Sequence, residues 1–320
     1  MPNYQGVWSL STQYQNASDW PSPPVAGRGV FGGGQNASST RVDTIDYIEI
    51  STSGNATDFG DLTVARTGVA GASSSTRGVF MAGLDTGSTT VNTMDYITIL
   101  STGNATDFGD NLATRYLLAG CSNDTRGLAA GGIVASRTNL IDYITIASTG
   151  NSADFGDLTI GRSQLGGCSS TTRGVFMGGY STARNNVIDY VTIASTGNAT
   201  DFGNLTSLTL NTCATSSDTR AIVPKGANAS VTTNEVDTFL IASTGNASDF
   251  GDLSVARAQS GATSNKVTAV VAGGFDTSTV RSNVIDSVTI ASSGTFADFG
   301  DLTEARSALA GVSSAHGGIA

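Results

Sequence analysis

At 320 residues the chain has room for two average domains or one repeat fold, and its 40 glycines, 5 prolines and 39% apolar content are not those of a disordered tail. A net charge of −10 with only two lysines, Lys225 and Lys266, excludes the Lys/Arg stripe of a nucleic-acid-binding surface. No apolar run reaches the roughly 18 residues of a membrane helix. The opening Met1-Pro-Asn-Tyr-Gln-Gly-Val-Trp8 lacks a secretory signal's basic and apolar regions, and Cys121, Cys168 and Cys213 make no disulfide framework, which points to folding in a reducing cytoplasm.

Residues 1–27 precede any repeat. Tyr4, Trp8, Tyr14 and Trp20 give this segment an aromatic density too high for a floppy leader, and Pro21-Ser-Pro-Pro24 reads as a hinge. It is expected to be an attachment arm that docks on the rim of the following domain or on another subunit. From residue 28 onward one unit recurs, marked by Phe59, Phe108, Phe155, Phe202, Phe250 and Phe299 at spacings of 47 to 49 residues. In the fourth unit Val175-Phe-Met-Gly-Gly179 is a short apolar strand ended by a glycine pair, which suits close approach of neighbouring backbones. Val187-Ile-Asp-Tyr-Val-Thr-Ile193 is β-branched and aromatic, as a strand should be. Ser-Thr-Gly-Asn is a turn, and the Asp-Phe-Gly stretch supplies an outer strand with its aromatic. Small-residue segments such as Ala65-Arg-Thr-Gly-Val-Ala-Gly-Ala-Ser-Ser74 are candidates for an inner strand, and no helical periodicity of useful length occurs.

The first unit lacks an inner strand of its own, while Arg306-Ser-Ala-Leu-Ala-Gly-Val-Ser-Ser314 is an unpartnered copy at the far end. Letting that C-terminal strand complete the first blade removes open sheet edges. The expected fold is therefore all-β: a six-bladed β-propeller over residues 28–320, its ring closed by the C-terminal strand. Seven blades are the alternative, because Asn16-Ala-Ser-Asp-Trp20 mimics the Asn-Ala-Thr-Asp-Phe motif and His316-Gly-Gly-Ile-Ala320 starts like another strand.

Most of the 26 acidic residues fall at three repeat positions: before the Phe, two residues after it, and in the Ile-Asp-Tyr strand. Basic residues likewise concentrate at Arg28, Arg77, Arg126, Arg173 and Arg220, and at Arg66, Arg115, Arg162, Arg257 and Arg306. A charge present in nearly every blade does the same job in each, which means turn capping or a blade-to-blade ion pair. His316 is the only histidine, so neither a Ser/His/Asp triad nor a His-rich metal site is available. No catalytic residue is assigned, no cofactor is expected, and the protein is expected not to be an enzyme. The Asp-Phe-Gly-Asp segments resemble the Asp-box hairpins of sialidase-type propellers without meeting their spacing. A structural Ca²⁺ at these turns is weaker than the competing reading of self-satisfied Asx-turns. Asn55, Asn104, Asn198 and Asn246 head glycosylation sequons but belong to the repeat turns.

The segments between the glycine pair and the Ile-Asp-Tyr strand vary most, and up-down strand order puts them on one face. Of the basic residues outside the repeat positions, Arg41, Arg137, Arg184 and Arg281 lie there, each five residues before the strand Asp, with Tyr180 and Phe275 opening two of the loops. An arginine-and-aromatic ring suits an anionic glycan or an acidic protein surface. The competing reading salt-bridges each arginine to a neighbouring repeat Asp.

The apolar run with its double glycine (Gly131-Gly132, Gly178-Gly179, Gly273-Gly274), the following Tyr47, Tyr96, Tyr143 and Tyr190, the Phe series and the Arg66-type residues resemble the kelch motif. Phe stands where kelch repeats carry Trp, and the fifth copy departs at Pro224-Lys225-Gly226 and Thr238. The Arg-Gly-Val-Phe … Ile-Asp-Tyr … Ser-Thr-Gly-Asn-Ala-Thr-Asp-Phe-Gly-Asp-Leu repeats and the Gly6-Val-Trp … Gln-Tyr-Gln … Trp20 opening also resemble virion structural proteins of tailed phages of aquatic bacteria. That resemblance implies a tail fibre, spike or capsid appendage, assembled in host cytoplasm and oligomeric in the particle. Residues 1–27 would join other virion proteins, and the loop face would meet a host-surface glycan or protein.

Overall fold

The computed structural model describes residues 27–228 and 231–319. The attachment-arm reading and its aromatics Tyr4, Trp8, Tyr14 and Trp20 lie outside the described residues. Within them there is no helix, hence none long and apolar enough to cross a membrane. The chain forms six antiparallel sheets arranged as a six-bladed β-propeller, and the seven-bladed alternative falls.

Blades 1 to 6 are numbered by their outer aromatics, Phe59 to Phe299. Blade 4 serves as the pattern: inner strand Gly166–Ser169, second strand Arg173–Met177, third strand Asn185–Thr192, outer strand Thr200–Thr209. In blade 1 the inner strand is the C-terminal Ala310–Ser313, paired antiparallel with Arg28–Gly32 in the register Gly29↔Ser313 to Gly32↔Ala310. The expected closure is thus the observed one. Six short sheets leave no free inner edge, because the sixth linker returns to the first blade.

Two rings of hydrogen bonds lock the inner strands around the axis. At one end, the six serines that close the inner strands form a circuit in which each hydroxyl donates to the preceding serine's carbonyl at 2.7–2.8 Å. It runs Ser122 to Ser73, Ser73 to Ser313, Ser313 to Ser264, Ser264 to Ser216, Ser216 to Ser169 and Ser169 to Ser122. At the other end, Gly68, Leu117, Gln164, Asn211, Gln259 and Ala308 all hold positive φ, between 55° and 66°. Their backbone N–H groups donate around a second circuit: Leu117 to Gly68, Gly68 to Ala308, Ala308 to Gln259, Gln259 to Asn211 and Gln164 to Leu117, with Thr212 closing onto Gln164. Five of these six residues are not glycine, so the ring overrides local preference.

The Asp-Phe-Gly stretch is the outer strand, as expected, and carries a β-bulge in place of the Asx-turn weighed against a Ca²⁺ site. Asp46 faces Asp58 and Ile45 faces Gly60, leaving Phe59 as the extra residue, and the same shift recurs in every blade. The bulge drives Phe59 into the core. It also requires the glycine: a Cβ on Gly60, at φ 143°, would lie 2.6 Å from the Gly103 backbone. That close approach is the next blade's turn covering the outer edge. Gly103 and Ala105 N–H donate to Phe59 O and Asp61 O at 2.8 Å, while Asp61 N–H donates to Asn104 Oδ1 at 3.1 Å. Blade 1 covers blade 6 in the same way through Gly54, Ala56 and Asn55. The Ser-Thr-Gly-Asn repeat is therefore edge protection. The apolar core lies between blades, as where Val30 and Phe59 of blade 1 pack with Phe80 and Ile97 of blade 2.

Candidate ligand-binding face

The repeat charges turn inward. Arg66, Arg162, Arg257 and Arg306 pair with Asp95, Asp189, Asp286 and Asp46 at 2.8, 2.9, 3.0 and 2.7 Å, and Arg115 pairs with Asp142. All ten side chains are buried. Each arginine precedes its inner strand, in the linker from the previous blade, and its side chain reaches beneath its own blade to the third strand. Carbonyls such as Phe176 O, 3.1 Å from Arg162, take a further donor. Each aspartate also receives a hydroxyl at 2.5–2.7 Å: Thr63 on Asp95, Thr159 on Asp189, Ser254 on Asp286 and Thr303 on Asp46. Because those hydroxyls belong to the same linker, the cluster ties each blade to the next. Where Leu112 replaces the hydroxyl residue, Ser152 supplies it to Asp142 at 2.6 Å. Burial pulls all five guanidinium groups below their usual value, Arg115 to about 9, and the facing aspartate opposes the shift in the other four. At Asp189 burial raises the carboxyl despite Arg162 and Thr159.

The second arginine series is structural too. Arg28, Arg77, Arg126 and Arg173 lie over the rings of Tyr47, Tyr96, Tyr143 and Tyr190, and each donates to a carbonyl of a neighbouring blade, from Ile99 O to Ile241 O. Outside these positions, the four loop arginines stand between the second and third strands of their blades, at the linker end of the strands. None is in an ion pair with an acid among the described residues, so the salt-bridged reading is corrected. The contacts of three of them run to the next loop and are neutral. Arg41 donates to Thr86 O and Ser88 Oγ at 3.4 and 3.2 Å, Arg281 donates to Gln35 Oε1 at 2.6 Å, and Arg137 lies 4.4 Å from the centre of the Tyr180 ring. Arg184 bridges Tyr180 through the backbone, and Phe275 sits half-buried against the Arg281 backbone. These pairings follow from no single repeat, since the hydrogen-bonded partners lie 45 to 246 residues apart; they arise because adjacent blades bring successive loops side by side.

Sequence reasoning missed the centre of this face. The positive-φ residues and their neighbours line an axial cup of about 70 Å³. Its wall is carboxamide on blades 4 to 6, with Gln164, Asn211 and Gln259, and apolar or bare on blades 1 to 3, with Gly68, Leu117 and Ala308. Gln259 Nε2 donates to Asn211 Oδ1 at 3.0 Å. The repeat carried no signal there: the residue two after the linker position is Gly, Leu, Gln, Asn, Gln or Ala, and the residues on either side of it vary as well.

At the opposite end of the axis the C-terminal residues fill the channel against the serine ring. His316 Nε2 lies 3.0 Å from Ser73 O and 3.2 Å from Ser122 Oγ, while Nδ1 accepts from Gly318 N–H at 3.0 Å. An imidazole that donates at Nε2 and accepts at Nδ1 is neutral. Burial accordingly lowers its pKa from the ordinary imidazole value of about 6.5. Below about pH 6.5 the unfolded chain binds a proton that the plug refuses. Stability is therefore present above that pH and is lost on acidification, by up to about 1.4 kcal/mol per pH unit until the folded value is reached. Urea midpoints at pH 7.5 and 5.5 are expected to differ, and His316→Gln is expected to flatten that difference; an unchanged difference in the variant would refute the assignment.

Cys121 and Cys168 occupy equivalent inner-strand positions, and burial pushes the Cys168 and Cys213 thiols up to about 12. Among the described residues no three His, Cys, Asp or Glu side chains converge on a point that would hold a metal. Against known proteins, no family model matches the chain and no curated protein is similar to it.

Proposed function

We propose that the protein is a non-enzymatic binding module of a phage virion, a tail-fibre, spike or capsid-appendage component whose kelch-like propeller presents the variable-loop face to a host-surface glycan or acidic protein. The observation that carries the binding reading is the division of the arginines. Ten sit in repeat positions on carboxylates, carbonyls or tyrosine rings, whereas Arg41, Arg137, Arg184 and Arg281 form a ring of positive charge with no acid against them among the described residues. On a body of net charge −10 such a ring is a local anion-seeking surface. The carboxamide arc of the axial cup adds neutral donors and acceptors at its centre. The virion setting rests on the repeat and N-terminal resemblance alone, since a propeller hosts many activities.

A second reading, a virion scaffold or decoration protein, has its own support: three of the four arginines stitch one loop to the next. Replacing all four by alanine separates the two. Under the binding reading, retention on glycan arrays or host cells falls at least tenfold, the wild-type signal weakens as salt is raised, and the thermal midpoint holds. Loss of the midpoint with no ligand found for the wild type favours the scaffold. Turnover of a glycoside substrate by the wild type would overturn both.

A further inference from the structure

Four of the six blades repeat one aromatic arrangement at the end of the strands away from the variable loops. Tyr47, Tyr96, Tyr143 and Tyr190 meet Phe59, Phe108, Phe155 and Phe202 edge-on, with ring centres 5.8–6.1 Å apart. Arg28, Arg77, Arg126 and Arg173 cap the tyrosines, their guanidinium carbons 4.2–4.7 Å from the ring centres. Each tyrosine is thus held between a cation and an aromatic edge.

Blade 5 keeps two of the three parts. Arg220 and Phe250 are in place, but the third-strand position facing Ile222 is Thr238, where Tyr190 faces Val175 in blade 4. The threonine hydroxyl is engaged with Ala221 O at 2.8 Å, and its short side chain leaves a cleft of about 450 Å³ bounded by Arg220, Thr238, Leu240, Asn246, Asp249 and Phe250. Arg220 is held over this space by the carbonyls of Ile290 and Ala291 at 3.4 and 3.3 Å. Phe296, where the other blades have Ala or Ser, packs edge-on to Phe250 with centres 6.4 Å apart, so an aromatic pair backs the cleft. Leu240, 53% exposed, extends the apolar floor outward. Blade 6 is the internal control: Thr268 and Ser287 replace both the arginine and the tyrosine, and its opening of about 460 Å³ has no cation in its lining among the described residues.

We propose that the blade 5 cleft is a binding site for a tyrosine side chain presented by a partner polypeptide. The chain itself shows four times what fits between this arginine and this phenylalanine, a phenol ring. The site lies on the opposite end of the strands from the variable loops and does not depend on how those loops are used. A protein with both would hold a ligand on one face and a protein neighbour on the other.

The test uses the free tyrosine side chain, p-cresol, titrated into the isotope-labelled full chain and followed by NMR, with 4-methylcyclohexanol as a probe of the same outline without a π face. Saturable shifts confined to the amides around Thr238, Asn246 and Phe250 are expected for p-cresol, with at least tenfold weaker binding of the saturated analogue. Thr238→Tyr is expected to abolish the p-cresol shifts and to raise the thermal midpoint, because the protein then fills its own cleft. Absence of binding to the wild type, equal affinity for the two probes, or p-cresol binding to Thr238→Tyr at wild-type strength overturns the proposal. So does binding that emerges only when Tyr4, Trp8, Tyr14 and Trp20 are all replaced by alanine, which would assign the cleft to the chain's own aromatics.

Discussion

Arg306→Ala is expected to cost about 3–5 kcal/mol of folding stability, the range for removing one member of a buried, hydrogen-bonded ion pair. Arg306 is fully buried and donates to Asp46 Oδ2 at 2.7 Å, Thr44 O at 2.5 Å, and Gly33 O and Phe31 O at 3.2 Å. Without it Asp46, also fully buried, keeps among the described residues only the Thr303 hydroxyl at 2.6 Å. These bonds join residues 260 to 275 positions apart, so the same side chain that neutralises a core carboxylate also fastens the last linker to the first blade. Arg162→Ala removes an equivalent pair, but one whose partners are 14 and 27 residues away. The two variants are expected to lose similar stability in urea titration, since the desolvated aspartate dominates both. Only Arg306→Ala is expected to raise protection loss at the Gly29–Gly32 amides in hydrogen exchange, where blade 1 can open separately. Replacing both charges, Arg306→Met with Asp46→Leu, is expected to recover most of the loss. A cost below about 1 kcal/mol, as for an exposed pair, would mean that these clusters are hydrated.

The number of blades and the way the ring closes were legible because both depend on counting. The Phe spacing sets the number, and one inner-strand copy without a partner sets the closure. The fate of the repeat charges was only half legible. Their recurrence marked them as structural, but Arg66 and Asp95 come together through a linker that doubles back under its own blade, which no local pattern displays. The β-bulge at Phe59 was invisible for a related reason: a bulge is a relation between two strands, and the Asp-Phe-Gly triplet alone reads equally well as a turn. Leu117, Gln164 and Gln259 at positive φ could not have been read from propensity, since the hydrogen-bonded ring around the axis imposes that conformation. On the candidate face, alternation of the strands placed the loop arginines together. Their neutral partners were hidden because each belongs to a different repeat, as Gln35 does for Arg281.

Blade 5 provides a sharper test of the same electrostatics, because it solves the buried-charge problem with different residues. Thr209 stands where the other blades have the linker arginine, yet Asp237 remains fully buried in the third strand. The cation comes from Lys225, at the position of Gly178 in blade 4: its Nζ lies 3.5 Å from Asp237 and 2.6 Å from Glu235, and donates to Thr206 Oγ1 at 2.8 Å. Thr209 in turn donates its hydroxyl to Lys225 O. Lys225→Gly alone is expected to cost about 3 kcal/mol or more, because Asp237 then faces no cation. Thr209→Arg alone is expected to destabilise as well, since a second long cation enters the buried space beside Asp237 that the Lys225 side chain already occupies and the Lys225 carbonyl loses its donor. Together the two substitutions rebuild the arrangement of Arg162, Asp189 and Gly178. The double variant is therefore expected to be more stable than either single one, with a favourable coupling of about 0.5–3 kcal/mol in the mutant cycle. Additive losses would show that Lys225 does not stand in for the missing arginine, and that Asp237 is stabilised by Thr206 and water instead.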